Sequence, residues 1–150
     1  MSSDIRQDIQ DSISDINDLL SHYDALLRRV DQSVPGKVEL AAMGAVLQSF
    51  YNGIEGMFLL ISKQIDGNVP TDPSWHQALL NRMTETTADR NALISSETAD
   101  QLAMYMKFRH FFRHSYSFML DWERLEQLVT DLMSVWDAAS REFEEFADSV

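Results

Sequence analysis

The chain has 150 residues, 45% of them hydrophobic and 24% charged, the composition of one ordinary globular domain rather than of a disordered chain. Its 24 acidic and 12 basic residues leave a net charge of −12, which argues against indiscriminate binding to nucleic acid or to an anionic membrane. The absence of cysteine excludes disulfides, thiolate metal sites and a cysteine nucleophile, and fits a cytoplasmic location. Five glycines and three prolines are too few for the turns of an all-β chain. The first residues carry aspartates and no apolar run, so no signal peptide is expected. The longest apolar stretches, around residues 40–47 and 56–61, fall far short of the ~20 residues that span a bilayer.

Ile5, Ile9, Ile13, Ile16, Leu20, Tyr23, Leu27 and Val30 recur at steps of three and four, the pattern of one long amphipathic helix with aspartates on its outer face. Ser2 or Ser3 supplies its cap, and Pro35–Gly36 ends the segment that follows. A second helix is predicted over residues 38–65, its buried stripe marked by Leu40, Met43, Leu47, Phe50, Ile54, Met57, Phe58, Ile61 and Ile65. Gly44, Gly53 and Gly56 weaken it by up to ~1 kcal/mol each relative to alanine, but would admit a neighbouring helix at close range. A loop with Gly67, Pro70 and Pro73 leads to a short helix over residues 74–84, with Trp75, Leu79, Leu80 and Met83 inward. The polar stretch 85–96 reads as irregular. A fourth helix begins near Ser96, carries Leu102, Tyr105, Met106, Phe108 and Phe112, and ends between residues 113 and 117. A fifth starts at Asp121, a good N-cap, with Leu125, Leu128, Leu132, Val135, Trp136, Ala139 and Phe143 inward. The expected fold is all-α, a single domain over residues 1–150 built as an antiparallel four-helix bundle with one additional short helix.

Charge is unevenly spread. Residues 101–120 contain no acid and three bases, Lys107, Arg109 and Arg113, whereas residues 121–150 contain nine acids and two bases. His110 and His114 share the basic island. No Gly-rich phosphate loop, nucleophile elbow or zinc-protease motif occurs, and the paired Glu-x-x-His motifs of di-iron bundles are missing. His22 and His76 lie among solvent-type residues and carry no predicted role. His110 and His114, one helical turn apart, suit two ligands of a metal, but nothing nearby suggests a third, so no metal site is expected. Arg109 and Arg113 have the spacing to hold one phosphate between them. Arg109 and His114 lie about 140° apart around an ideal helix. They share a face only if the helix loosens at its end; alternatively, a two-fold dimer gathers both pairs in one cleft.

Arg109, four residues, His114, one residue and Tyr116 resemble the signature of HepT toxins, which are HEPN-superfamily ribonucleases paired with MNT nucleotidyltransferase antitoxins. Residues 51–55, 74–76 and 108–125 are similar to the corresponding HepT-like segments, so the resemblance extends from the second helix onward. His110 departs from the small polar residue that many HEPN nucleases carry directly after the arginine.

The resemblance implies the toxin of a type VII-like HEPN/MNT toxin–antitoxin pair. Its activity would be that of a metal-independent endoribonuclease, without cofactor, acting on RNA such as tRNA at the interface of a homodimer or higher oligomer. RNA supplies its own nucleophile, the 2′-hydroxyl. His114 of one subunit would take that proton and His114 of the other would protonate the leaving 5′-oxygen. Arg109 would stabilise the pentacoordinate phosphate, with Lys107, Arg113 and His110 on flanking phosphates and Glu55 orienting Arg109. The MNT partner would attach AMP to Tyr116, blocking RNA by charge and bulk. Neither DNA nor membrane is an expected partner. The rival expectation is a catalytically silent HEPN-like bundle that binds a nucleotide or the nucleotidyltransferase.

Overall fold

The computed structural model describes residues 4–29 and 33–150. Its elements are α1 (Ile5–His22), α2 (Asp24–Arg28), α3 (Lys37–Ile61), α4 (Trp75–Arg82), α5 (Ser96–Arg113) and α6 (Trp122–Ser149). A π-helical turn, Ser62–Asp66, extends α3, and a short 3₁₀ turn, Ser117–Met119, precedes α6. Among the described residues the structure is entirely helical, as the periodicity predicts.

The four long helices run antiparallel wherever their contacts fix direction. Arg6 near the start of α1 donates to the carbonyls of Ala147 and Val150 at the end of α6, at 3.0 and 2.8 Å. Ser95, capping α5, meets Glu142 late in α6, while the Tyr105 hydroxyl donates to the Leu128 carbonyl at 2.7 Å. The third helix lies at the centre, packed against α1, α4, α5 and α6. That position explains its weak amphipathicity, since a helix covered on several sides is apolar on several sides. Leu40, Met43, Val46, Leu47, Phe50, Tyr51, Ile54, Met57, Phe58 and Ile61 are all buried along it.

Two expectations are corrected at the N-terminal side. The first helix is interrupted at Tyr23, where φ −107° and ψ 15° turn the chain. This swings Tyr23 outward, 43% exposed, while Leu27 stays buried. The expected stripe residue Val30 and the expected caps Ser2 and Ser3 lie outside the described residues; Asp4 caps α1 by accepting from the Arg6 N–H. The expected close approach at α3 does occur at Gly44, where an added Cβ would stand 2.6 Å from the ring of Phe112 on α5. Gly56 faces open space.

The stretch after α4 is irregular, yet it is not loose. Arg90 is 5% exposed and clamps Asp66 with two hydrogen bonds of 2.7 and 3.0 Å. Its remaining donors reach the carbonyls of Glu85, Asn91 and Arg82. Leu93 and Ile94 then enter the core. This anchoring fixes the entry of α5, and through it the position of the residues at the far end of that helix.

Candidate active site on the fifth helix

Helix α5 is polar and acidic at its start, apolar on its buried side in the middle, and basic at its end. Ser95 caps it by accepting from the Thr98 N–H, and Leu102, Tyr105, Met106 and Phe108 lead into the core. Arg109 follows on the same buried side, 3% exposed. A guanidinium removed from water is tolerated only when its charge is matched. Here the match is Glu55, projecting from α3. Its carboxylate accepts from Arg109 Nη1 and Nη2 at 3.0 and 2.9 Å, a two-pronged pairing. Nη1 also donates to the Asn52 side-chain oxygen at 3.1 Å. The guanidinium lies over the ring of Tyr51, 4.8 Å from its centroid. The buried Tyr51 hydroxyl has no hydrogen-bond partner. Burial pushes this phenol well above its ordinary 10.0, with Glu55 adding to the rise and Arg109 opposing it, so it remains neutral.

A third element completes the cluster. Helix α4 carries His76 to within 2.8 Å of the Glu55 carboxylate and 3.1 Å of Arg109 Nη2, both through Nδ1. Nδ1 carries either a hydrogen or a lone pair, so it serves one neighbour at a time. Donation to the carboxylate matches the shorter distance and leaves Nε2 with its lone pair. The imidazole ring also packs against Trp75, with centroids 3.6 Å apart and the planes tilted by 31°. The reading of His76 as a solvent-type residue therefore needs correction: it is bound on one edge by a buried carboxylate and on one face by an indole. The signal that could have found it is Glu55 itself. A glutamate on the buried stripe between Ile54 and Phe58 requires a polar or cationic partner from another element.

Beside this cluster lies a cavity of ≈ 340 Å³ walled by α4 and α5, with Lys107, Arg109, His110, Arg113 and His76 on its lining. Four of the predicted site residues thus converge. Arg113 points its guanidinium at the Asn52 oxygen that Arg109 already engages, at 3.3 Å; that oxygen occupies the position between the two arginines where a shared phosphate was expected. His114 and Tyr116 are not on the cavity wall. His114 is the C-cap of α5, its N–H bonded to the Phe111 carbonyl at 3.1 Å. Its ring stands 4.6 Å from that of His110, which does line the cavity. Tyr116 is 72% exposed and stacked on Phe118 at 5.6 Å, with the rings nearly parallel. Among the described residues, no three His, Asp or Glu side chains converge as a metal ion would need, and no helix is long and apolar enough to cross a membrane.

A family model described as HepT-like protein matches residues 42–150. That span contains α4, α5, α6 and nearly all of α3, and so every residue of the cluster and the cavity. No curated protein matches the chain, and no solved structure does.

Proposed function

The chain belongs to the HepT-like family of the HEPN superfamily, with its toxin-type helical fold, and from that premise we propose that it is a metal-independent endoribonuclease acting as a toxin. The observation that carries this reading is the basic, imidazole-bearing cavity on a chain of net charge −12. An acidic exterior repels polyanions at large, so an RNA phosphate would be attracted to this wall and to little else on the surface. Lys107, Arg113 and His110 are exposed and would supply that attraction. Arg109 and Glu55 together are close to neutral, so Arg109 would contribute by direct contact: the second Nη2–H, which stands 3.1 Å from His76 Nδ1, would be shared with a phosphate oxygen as its charge grows.

The reaction would be attack of the 2′-hydroxyl on the adjacent phosphorus, with the 5′-oxygen leaving and a 2′,3′-cyclic phosphate remaining. His114 groups would exchange the protons. Two copies of the chain would face each other across a two-fold axis, since His114 does not line the cavity that holds Arg109 within one copy. The exposed phenol of Tyr116 would be the point at which an MNT-type nucleotidyltransferase transfers AMP from ATP. The added phosphodiester would place negative charge beside the basic residues and close the site to RNA. The cytoplasm is where such a substrate and such a partner would meet it.

Purified protein incubated with total RNA in EDTA tests the reading. Fragments ending in cyclic phosphate are expected, with His114→Ala slower by about 100-fold or more. Cleavage that persists in the variant, or that requires added metal, defeats the mechanism. No cleavage by the unmodified wild-type protein favours the silent, nucleotide- or nucleotidyltransferase-binding bundle instead. Co-expression with the nucleotidyltransferase should add AMP to Tyr116 by intact mass; a neutralised complex with an unmodified tyrosine rejects the switch.

A further inference from the structure

The Glu55–His76 arrangement has the form of a proton-accepting dyad. Glu55 is buried and fixed, since Arg109 holds both of its oxygens. It accepts from His76 Nδ1 at 2.8 Å, which sets the tautomer and leaves the Nε2 lone pair free. Trp75, packed against the ring with centroids 3.6 Å apart, restricts its rotation. The imidazole is not sealed in: its side chain is 34% exposed, and it lines the cavity whose other wall carries Lys107, Arg109, His110 and Arg113. A carboxylate that fixes the orientation of an imidazole is part of the arrangement that makes histidine an effective base; here Glu55 orients the ring while Arg109 matches the charge of Glu55. A histidine with only a structural duty has no need of an open edge on a basic cavity.

We propose that His76 is the proton acceptor of this site, an assignment that rests on the ribonuclease reading. Nε2 takes the proton of the 2′-hydroxyl as the O2′–P bond forms. The P–O5′ bond then breaks, and O5′ takes a proton from an imidazolium. His114 keeps this donor's part and is relieved of the acceptor's. His110 spans the distance between the two, lining the cavity with His76 while its ring stands 4.6 Å from that of His114. Glu55 and Arg109 are positioning residues for the acceptor. The charged and titratable groups around the His76 ring are Glu55 from α3 and Lys107, Arg109, His110 and Arg113 from α5.

The test uses His76→Asn, which retains a side-chain N–H toward Glu55 but has no base. Cleavage of an RNA oligonucleotide is followed across about pH 5 to 9, with a second substrate whose 5′-oxygen is replaced by sulfur, a leaving group that needs no proton donor. His76→Asn should cut both substrates about 100-fold more slowly than wild type, lose the acidic limb of the kcat/KM profile, and bind a 2′-deoxy analogue within about threefold. His114→Ala should recover on the sulfur substrate; His76→Asn should not. As a second arm, His76→Gly should regain cleavage when free imidazole is added. Wild-type cleavage with His76→Asn equally fast, or with its loss restored by the sulfur leaving group, overturns the assignment and leaves the ribonuclease reading standing. Wild-type protein that cuts neither substrate overturns the reading and the assignment together.

Discussion

Arg90 and Arg109 are chemically the same solution put to different uses. Each is buried, and each grips one carboxylate with two hydrogen bonds, Asp66 in the first case and Glu55 in the second. They differ in where the remaining donors go. Those of Arg90 end on three backbone carbonyls, that of Arg82 at the end of α4 and those of Glu85 and Asn91 in the irregular segment after it, where a helix ladder no longer supplies donors. Those of Arg109 face side chains, Asn52 and His76, and the residue forms part of a cavity wall. A cation whose hydrogen bonds close on the backbone holds a chain path. One whose surroundings are side chains with chemistry of their own, open on one side, can serve a ligand. Burial and ion pairing alone do not separate the two.

The comparison breaks most visibly at Arg90. Arg90→Met leaves Asp66 without its partner and removes the Arg90 donors from the Glu85 and Asn91 carbonyls, which should lower stability by about 3–5 kcal/mol. Urea unfolding reads that loss. RNA cleavage per folded molecule should stay at the wild-type level, and a loss of activity beyond the folded fraction would show that Arg90 is not simply an anchor.

The opposite outcome is expected at the other arginine. Arg109→Ala alone is a poor test, because it strands Glu55 in the core and confuses lost folding with lost chemistry. Replacing both partners, Arg109→Met with Glu55→Met, removes the charge pair without leaving an orphan, a change that buried pairs often tolerate or even gain from. The urea midpoint should hold or rise while cleavage falls about 100-fold, equivalent to about 2.7 kcal/mol in the barrier. A double variant that cleaves like wild type would reduce Arg109 to the same structural role as Arg90.

The two arginines also mark how far the amino-acid sequence could be read. The bundle was legible because apolar residues at steps of three and four report a buried stripe directly, and Pro35–Gly36 and Asp121 bound two helices. The contact of Arg109 with Glu55 was one of two readings open beside the HepT-like resemblance, the other being a solvated or core-rim glutamate, and the spacing along one helix does not decide between them. Arg90 left no trace, since its partners are mostly carbonyls that any residue type supplies. His76 was hidden for a related reason. Its immediate neighbours, Trp75 and Gln77, give no sign of a buried carboxylate, and its partners arrive from α3 and α5, 21 and 33 residues away. Periodicity speaks of one helix at a time, and this cluster is a property of three. The break at Tyr23 escaped for want of a glycine or proline to announce it.

Two tyrosines carry the comparison to its smallest effect. Tyr51, on α3, lies under Arg109, and Tyr105, on α5, is bonded to the Leu128 carbonyl of α6. Burial pushes both phenols above their ordinary 10.0, with Glu55 contributing at Tyr51 and Asp131 at Tyr105. The folded protein therefore keeps these protons after the unfolded chain has released them. Their contribution to stability is whole below pH 10 and declines as the pH climbs past that value, by at most about 1.4 kcal/mol per pH unit for each tyrosine. Chemical denaturation between about pH 8 and 11 should show this fall, and Tyr51→Phe or Tyr105→Phe should each reduce its slope. At neutral pH the two variants should part company. Tyr105→Phe removes a hydrogen bond to a carbonyl that also serves the α6 ladder and should lose about 1 kcal/mol. Tyr51→Phe removes a hydroxyl that has no partner and should be neutral or slightly stabilising. A cost at Tyr51 equal to that at Tyr105 would mean that the hydroxyl beneath Arg109 is engaged, and that the site is held by one more bond than the geometry provides.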